Sequence, residues 1–367
     1  MDRDWIGWNF QLSFAKFNVQ DAFESNSLAY LNNQQDTEMN NLFSIKRLVC
    51  SICVTLIVVN ASIAQDTTTE NTTKPLELPE CDIFLFDLEN TGESGSPMKL
   101  SNGRNITRRK GYDNQPWFTP ESKSILFTAN HAPDRTDVFE YFVESKETKP
   151  VTDSPTQEYS PQISPDNKTV SFVTDGKTAN QSVWSVQRGE DSRADPNSEK
   201  WLLKNQGDRE PVGYYSWNHK TGYILYWSRY GYAVRLVHES KELSHFVTGS
   251  APPSSPYIIP GTGKFSFMHR QSNEEVWIKE LDPETLAVRP LVKVVGSNPN
   301  YGWTPDGWIV MCDGTKLFRC LPTSKNPSEN KWELVVDLKS HGMKSASRVA
   351  LSPNGKMLAV VGLPTEE

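Results

Sequence analysis

Short apolar runs punctuate an otherwise polar chain, and each run follows the same kind of polar lead-in. The runs are five to seven residues long and rich in β-branched and aromatic side chains: S-I-L-F-T at 124–128, T-V-S-F-V at 169–173, Y-I-L-Y-W at 223–227 and K-M-L-A-V-V at 356–361. Runs of this length bounded by Pro, Gly, Asn and Ser predict strands rather than helices. The lead-in is a loop with Pro or Ser, an aromatic, and a Ser/Thr-Pro turn. The whole unit recurs six times, at 114–128, 158–173, 210–227, 254–268, 298–311 and 347–361. Its turn anchors are Pro120, Pro165, Trp217, Pro260, Pro305 and Pro353, spaced by 45, 52, 43, 45 and 48 residues.

The turn chemistry is explicit. Pro presets φ for the second position of a type I turn, Asp or Asn follows, and Gly closes it in T-P-D-G and S-P-N-G. A third apolar run follows in each unit, at 137–143, 182–186, 233–237, 275–281 and 316–321, and a more polar fourth leads to the next. Four antiparallel strands per period of this size predict a β-propeller blade, so the fold expected is an all-β, six-bladed propeller. The sixth unit stops after its second strand. Its missing third and fourth strands match C-D-I-F-L-F-D-L at 81–88 and P-M-K-L-S-N-G-R-N-I-T at 97–107, so the last blade is expected to close with strands from both ends of the domain.

Composition agrees with short strands and turns. The chain of 367 residues carries 11 Trp, 12 Tyr and 16 Phe, and its 24 Pro and 21 Gly are turn formers. A net charge of −7 without a dense Lys/Arg stripe gives no electrostatic reason to bind nucleic acid.

The front of the chain reads as an address label. Residues 48–64 are mostly apolar and uncharged, Lys46 and Arg47 precede them, and Ser62 and Ala64 form a small-residue cleavage pattern. We expect a signal peptide at 39–64, cut near Ala64, with residues 1–38 an extension before the true start at Met39, 65–79 a polar linker, and 80–367 the propeller. The product is then periplasmic or secreted, without a membrane span in its mature form, and a monomer. Cys50 and Cys53 leave with the signal. Cys81, Cys312 and Cys320 remain, an odd number, so at least one is not paired within the chain.

The turns S-P-D-N-K (164–168) and T-P-D-G-W (304–308), with G-Y-D-N-Q-P (111–116), E-Y-S-P (158–161) and L-S-P-N-G-K (351–356), resemble the repeats of TolB-like propellers, and the resemblance spans about residues 80–362. It implies an exported ring that presents polar loops to a protein segment or small polar ligand. TolB itself has an α/β domain ahead of its propeller, where this chain shows a short linker. The related prolyl-oligopeptidase-type hydrolases need a G-x-S-x-G elbow, which is absent from the sequence.

In a propeller the loops from fourth to first strand and from second to third gather on one face around the channel. The first set offers Tyr112, Asp113, Asn114, Glu158, Tyr159, Arg209, Glu210, Asn298, Asn300 and Arg348. The second offers His131, Asp134, Asp175, Arg229, His269, Arg270 and Asp313. Mixed acids, amides and bases suit a polar ligand or peptide; the bland alternative is that they cap turns. No cofactor is expected. The alternative function is a metal-dependent hydrolase or lyase, lactonase-like or oligogalacturonate-lyase-like, with calcium on Asp113, Glu158 and Glu210 or another divalent metal near His131 and His269. Trp117, Trp184, Trp217, Trp227, Trp277 and Trp303 are expected to pack between blades.

Overall fold

The structure, a computed structural model, describes residues 78–89, 97–132, 135–175, 181–189, 191–203, 210–241 and 244–365, without the side chains of 131 and 132. The expected extension, the signal peptide and all but the last two residues of the linker lie outside the described residues, as do Asp134 and Arg209. The chain from Pro75 to Glu367 forms one compact unit.

Six four-stranded antiparallel sheets make up this unit. Blade one comprises Asp113–Phe118, Ser124–Ala132, Arg135–Phe142 and Thr148–Pro150. Blade two comprises Glu158–Ile163, Thr169–Thr174, Ser182–Arg188 and Ala194–Trp201, and blade three Val212–Asn218, Tyr223–Ser228, Ala233–His238 and His245–Thr248. Blade four has Tyr257–Ile258, Phe265–Arg270, Val276–Leu281 and Val288–Lys293, and blade five Tyr301–Trp303, Ile309–Asp313, Lys316–Cys320 and Glu333–Asp337. Blade six joins Met343–Leu351 and Met357–Pro364 to Asp82–Glu89 and Lys99–Asn105. The splice is a full ladder, with Asp82 opposite Gly362 and Asp87 opposite Met357. The six-bladed ring closed by strands from both ends of the domain is thus present.

Apolar packing lies between blades. Leu126, Ile163 and Phe172 join blades one and two. Val173, Tyr215 and Ile224 join two and three, and Leu225, Phe265 and Leu281 join three and four. Met268, Tyr301 and Cys320 join four and five, Val310, Phe84 and Val360 join five and six, and Leu85, Ala359 and Phe127 join six back to one. Both faces of every sheet are therefore buried, which is why the second and third strands are apolar runs rather than alternating ones. Each fully buried Leu, Ile or Phe contributes about 1.5–3 kcal/mol.

The Ser/Thr-Pro motif closes the turns between first and second strands. The Ser122, Asn167, Gly307 and Gly355 amides each donate to the carbonyl three residues earlier, at Thr119, Ser164, Thr304 and Ser352. The hydroxyls of those four residues then accept from Ser124, Thr169, Trp308 and Met357 amides at 3.2, 2.9, 2.9 and 2.8 Å. The closing residues Asn167, Gly307 and Gly355 have φ of 61°, 90° and 69°, a left-handed geometry that favours Asn and Gly. One anchor moves: Trp217 lies inside its strand, and the turn of blade three follows it, with the Asn218 carbonyl accepting from Thr221 and the Asn218 side chain from Lys220.

Cys81, Cys312 and Cys320 are all free and buried. Cys312 stands opposite Leu317 and Cys320 opposite Ile309. The two thiols pack in different blade interfaces, which separates them and removes any bridge. Burial pushes both thiols up to about 12 and Cys81 to about 11.

Candidate functional site

The first strands lead from the loop face, and four of them break register there. Irregularities fall between Asn114 and Trp117, Tyr159 and Gln162, Val212 and Tyr214, and Ala346 and Arg348. Gln115 and Ser160, inside the first two bulges, have φ of 58° and 53°. The Gln115 side-chain oxygen accepts from the Ser160 amide at 2.7 Å, tying the bulges together. Bulges re-aim side chains.

These strands and their neighbours build a cavity of about 340 Å³ walled by Tyr112, Tyr159, Tyr214, Trp227 and Tyr232, with Gln115, Gln181 and Arg229 as its polar groups. Gly213 makes the wall geometry feasible: a Cβ there would stand 2.5 Å from the Trp227 ring. Trp227 is fixed by donating from Nε1 to the Ala251 carbonyl at 2.9 Å. The Arg229 guanidinium donates to Gln181 Oε1 at 2.9 Å. Tyr230 and Tyr232 continue the aromatic surface outward, at 74% and 56% exposure. Burial raises the Tyr112 and Tyr159 phenols, so both carry their hydrogens at neutral pH.

Arg348 adjoins the cavity. It is buried, its Nη1 donates to Ser255 Oγ at 3.0 Å and its Nη2 to Tyr214 Oη at 3.3 Å. The guanidinium also lies 5.0 Å from the centroid of the Tyr214 ring, and Tyr112 and Tyr257 complete its electrostatic surroundings. Asn298 Nδ2 donates to the Ser347 carbonyl at 2.6 Å and steadies the strand just before it.

The other sequence candidates are spoken for or lie apart. Asp113 is fully buried and receives Arg109 Nη2 at 2.5 Å. Burial still pushes its carboxyl up to about 6 against the lowering by Arg109. Asn114 uses its oxygen on the Gln115 amide. Glu158 is buried at the loop-face start of blade two and its amide donates to Thr136 Oγ1. Glu210 accepts from Ser228 Oγ and pairs with Arg235 at 3.2 Å. Asp175 caps the Gln157 amide. Asn300 leans on Asn298. Arg270 and Asn298 line a separate cavity of about 400 Å³. Asp313 packs against Gly296, where a Cβ would meet its carboxylate. His269 sits opposite Trp277, and burial lowers its pKa. The His131 side chain lies outside the described residues, so its approach to His269 does too.

Among the described residues no three His, Cys, Asp or Glu side chains group to hold an ion. Asp113 and Glu210, two of the three acids offered for calcium, already have arginine partners.

No family model matches the chain, and no curated protein does. Solved structures do share its fold. A protein designated TolB from Agrobacterium tumefaciens aligns with a TM-score of 0.56 at 12% identity, over 77% of this chain and 98% of the other. XC5397 from Xanthomonas campestris, described as a gluconolactonase, aligns at 0.51 and 10% identity, over 78% and 98%. TolB from Acinetobacter baumannii aligns at 0.48 and 13%, over 78% and 65%. The architecture is thus the TolB-like six-bladed propeller, a fold shared by proteins with different activities. Among the described residues no helix is long and apolar enough to cross a membrane.

Proposed function

We propose that the chain is an exported, non-catalytic binding module whose ligand seats in the aromatic cavity on the loop face of the propeller. One observation carries this reading: five aromatic side chains from three blades converge on a single cavity with only a few polar groups. Ligand sites have this make-up, with aromatic walls for area and sparse polar groups for orientation. The ring supplies rigidity, because every wall residue stands on or beside a strand locked into a ladder. Export rests on the signal-like segment at 39–64, and an amino terminus at Gln65 in the mature protein is its direct check.

Thermal shift with neutral disaccharides and with tripeptides blocked at both ends tests the cavity. At least one set should raise Tm, and Tyr159→Ala should abolish the rise while remaining folded. Indifference of both proteins to every probe sinks the reading.

A further inference from the structure

Arg348 differs from the comparable buried arginines of this ring. Arg188, whose side chain is 8% exposed, pairs with fully buried Glu140 at 2.6 Å. Arg319, 5% exposed, pairs with Glu333 at 2.9 Å. Arg348 is 8% exposed, and among the described residues no carboxylate pairs with it. Its partners are two neutral hydroxyls, Ser255 Oγ and Tyr214 Oη. A guanidinium has five N–H donors, so subtracting these two bonds leaves three, and Nε is both buried and without a partner. A buried cation is tolerated when an anion balances it. Arginine does not escape by losing its proton.

We infer that Arg348 is the carboxylate-recognition group of the cavity: the ligand presents an organic carboxylate to the guanidinium while its body lies against the tyrosine walls. The inference rests on the cavity being a ligand site. Three features argue for a carboxylate. The free donors belong to a planar fork that matches two carboxylate oxygens. Tyr214 both bonds the guanidinium and walls the cavity, so it bridges the two parts of the site. The hydroxyls of Tyr214 and Ser255 hold the fork in place without neutralising it. A uronic-acid sugar and a peptide with a free C-terminus both carry this chemistry.

The test compares matched pairs by calorimetry: glucuronate against glucose, and a tripeptide acid against its C-terminal amide. In at least one pair the acid should bind about tenfold or more tightly, as a charge-assisted bond implies, and the pair that responds identifies the source. Arg348→Gln should bring acid and neutral forms to parity. Arg348→Lys, which keeps the charge but loses the fork, should lie between; it serves if the glutamine variant does not fold. Equal affinity of acid and neutral forms in the wild-type protein overturns the inference but leaves the cavity reading standing. A preference that persists unchanged in Arg348→Lys or Arg348→Gln also overturns it. Silence from all four compounds overturns the inference, and the cavity reading falls with it only if the neutral disaccharides and doubly blocked tripeptides are silent too.

Discussion

Two buried arginines stand at opposite ends of the blades and are treated oppositely. At the turn end, Arg188 donates to both oxygens of Glu140, at 2.6 and 2.7 Å, and to Asn167 Oδ1 at 2.6 Å, and Ser124 adds a hydroxyl to the same carboxylate. It staples blade one to blade two beside the Ser164–Asn167 turn. At the loop end, Arg348 has hydroxyls and aromatic faces only. The turn end repeats one chemical solution in four of the six blades, whereas the loop end uses different residue types in each. The contrast separates architecture from recognition: where charge is paired internally it holds the ring, and where it is left open it is available to a ligand.

The turn end can be broken most severely at the splice. Removing residues 347–367 takes most of both inner strands of blade six, exposing the edge of Asp82–Glu89 and the interfaces on either side. The truncated protein is expected to lose cooperative unfolding altogether, and a soluble product with an intact thermal transition would contradict a ring held by closure. Next in size is Arg188→Gln, which strands Glu140 as a lone buried acid. Destabilisation of about 3–5 kcal/mol is expected in urea titrations. Arg348→Gln leaves no such acid behind, so its stability change should be much the smaller; comparable losses in the two variants would erase the distinction drawn between them.

The smallest effect concerns pH. Asp113 has its carboxyl raised from 3.8 to about 6 by burial, despite Arg109. Between those values the folded chain holds more of this proton than the unfolded chain does. Its contribution therefore favours folding at the acid side and is lost as pH rises through that window. Denaturant midpoints of wild type relative to Asp113→Asn should fall between about pH 4 and 6; a difference that stays flat or rises refutes the assignment.

Much of this ring is legible from local residues. The Pro120, Pro165, Pro305 and Pro353 turns announce themselves because Pro, an acid or amide (Glu121, Asp166, Asp306, Asn354) and a left-handed closing residue (Ser122, Asn167, Gly307, Gly355) act within four consecutive positions. The anchor of blade three, expected at Trp217, lies two residues later, because Asn218 stands where the other turns have Ser or Thr and His219 where they have Pro. The site is less legible. Arg348 can be singled out as a loop arginine, but nothing nearby in sequence distinguishes it from Arg270, which is exposed, and Tyr214 is 134 positions away. Trp227 has the strand setting of a packing residue and indeed packs against Leu225 and Phe265, yet it also walls the cavity. Asp113 and Glu210 look like free acids until Arg109 and Arg235 are seen beside them.

By itself, then, the sequence determines the number of blades, the turns between their strands and the two-ended splice, because each depends on contacts within a hairpin or on the count of repeats. Tertiary structure alone decides which charges are neutralised and which side chains meet. The first strands kink at bulges that have no sequence signature of their own, and a guanidinium becomes a recognition element only when folding has brought tyrosines to it and no carboxylate.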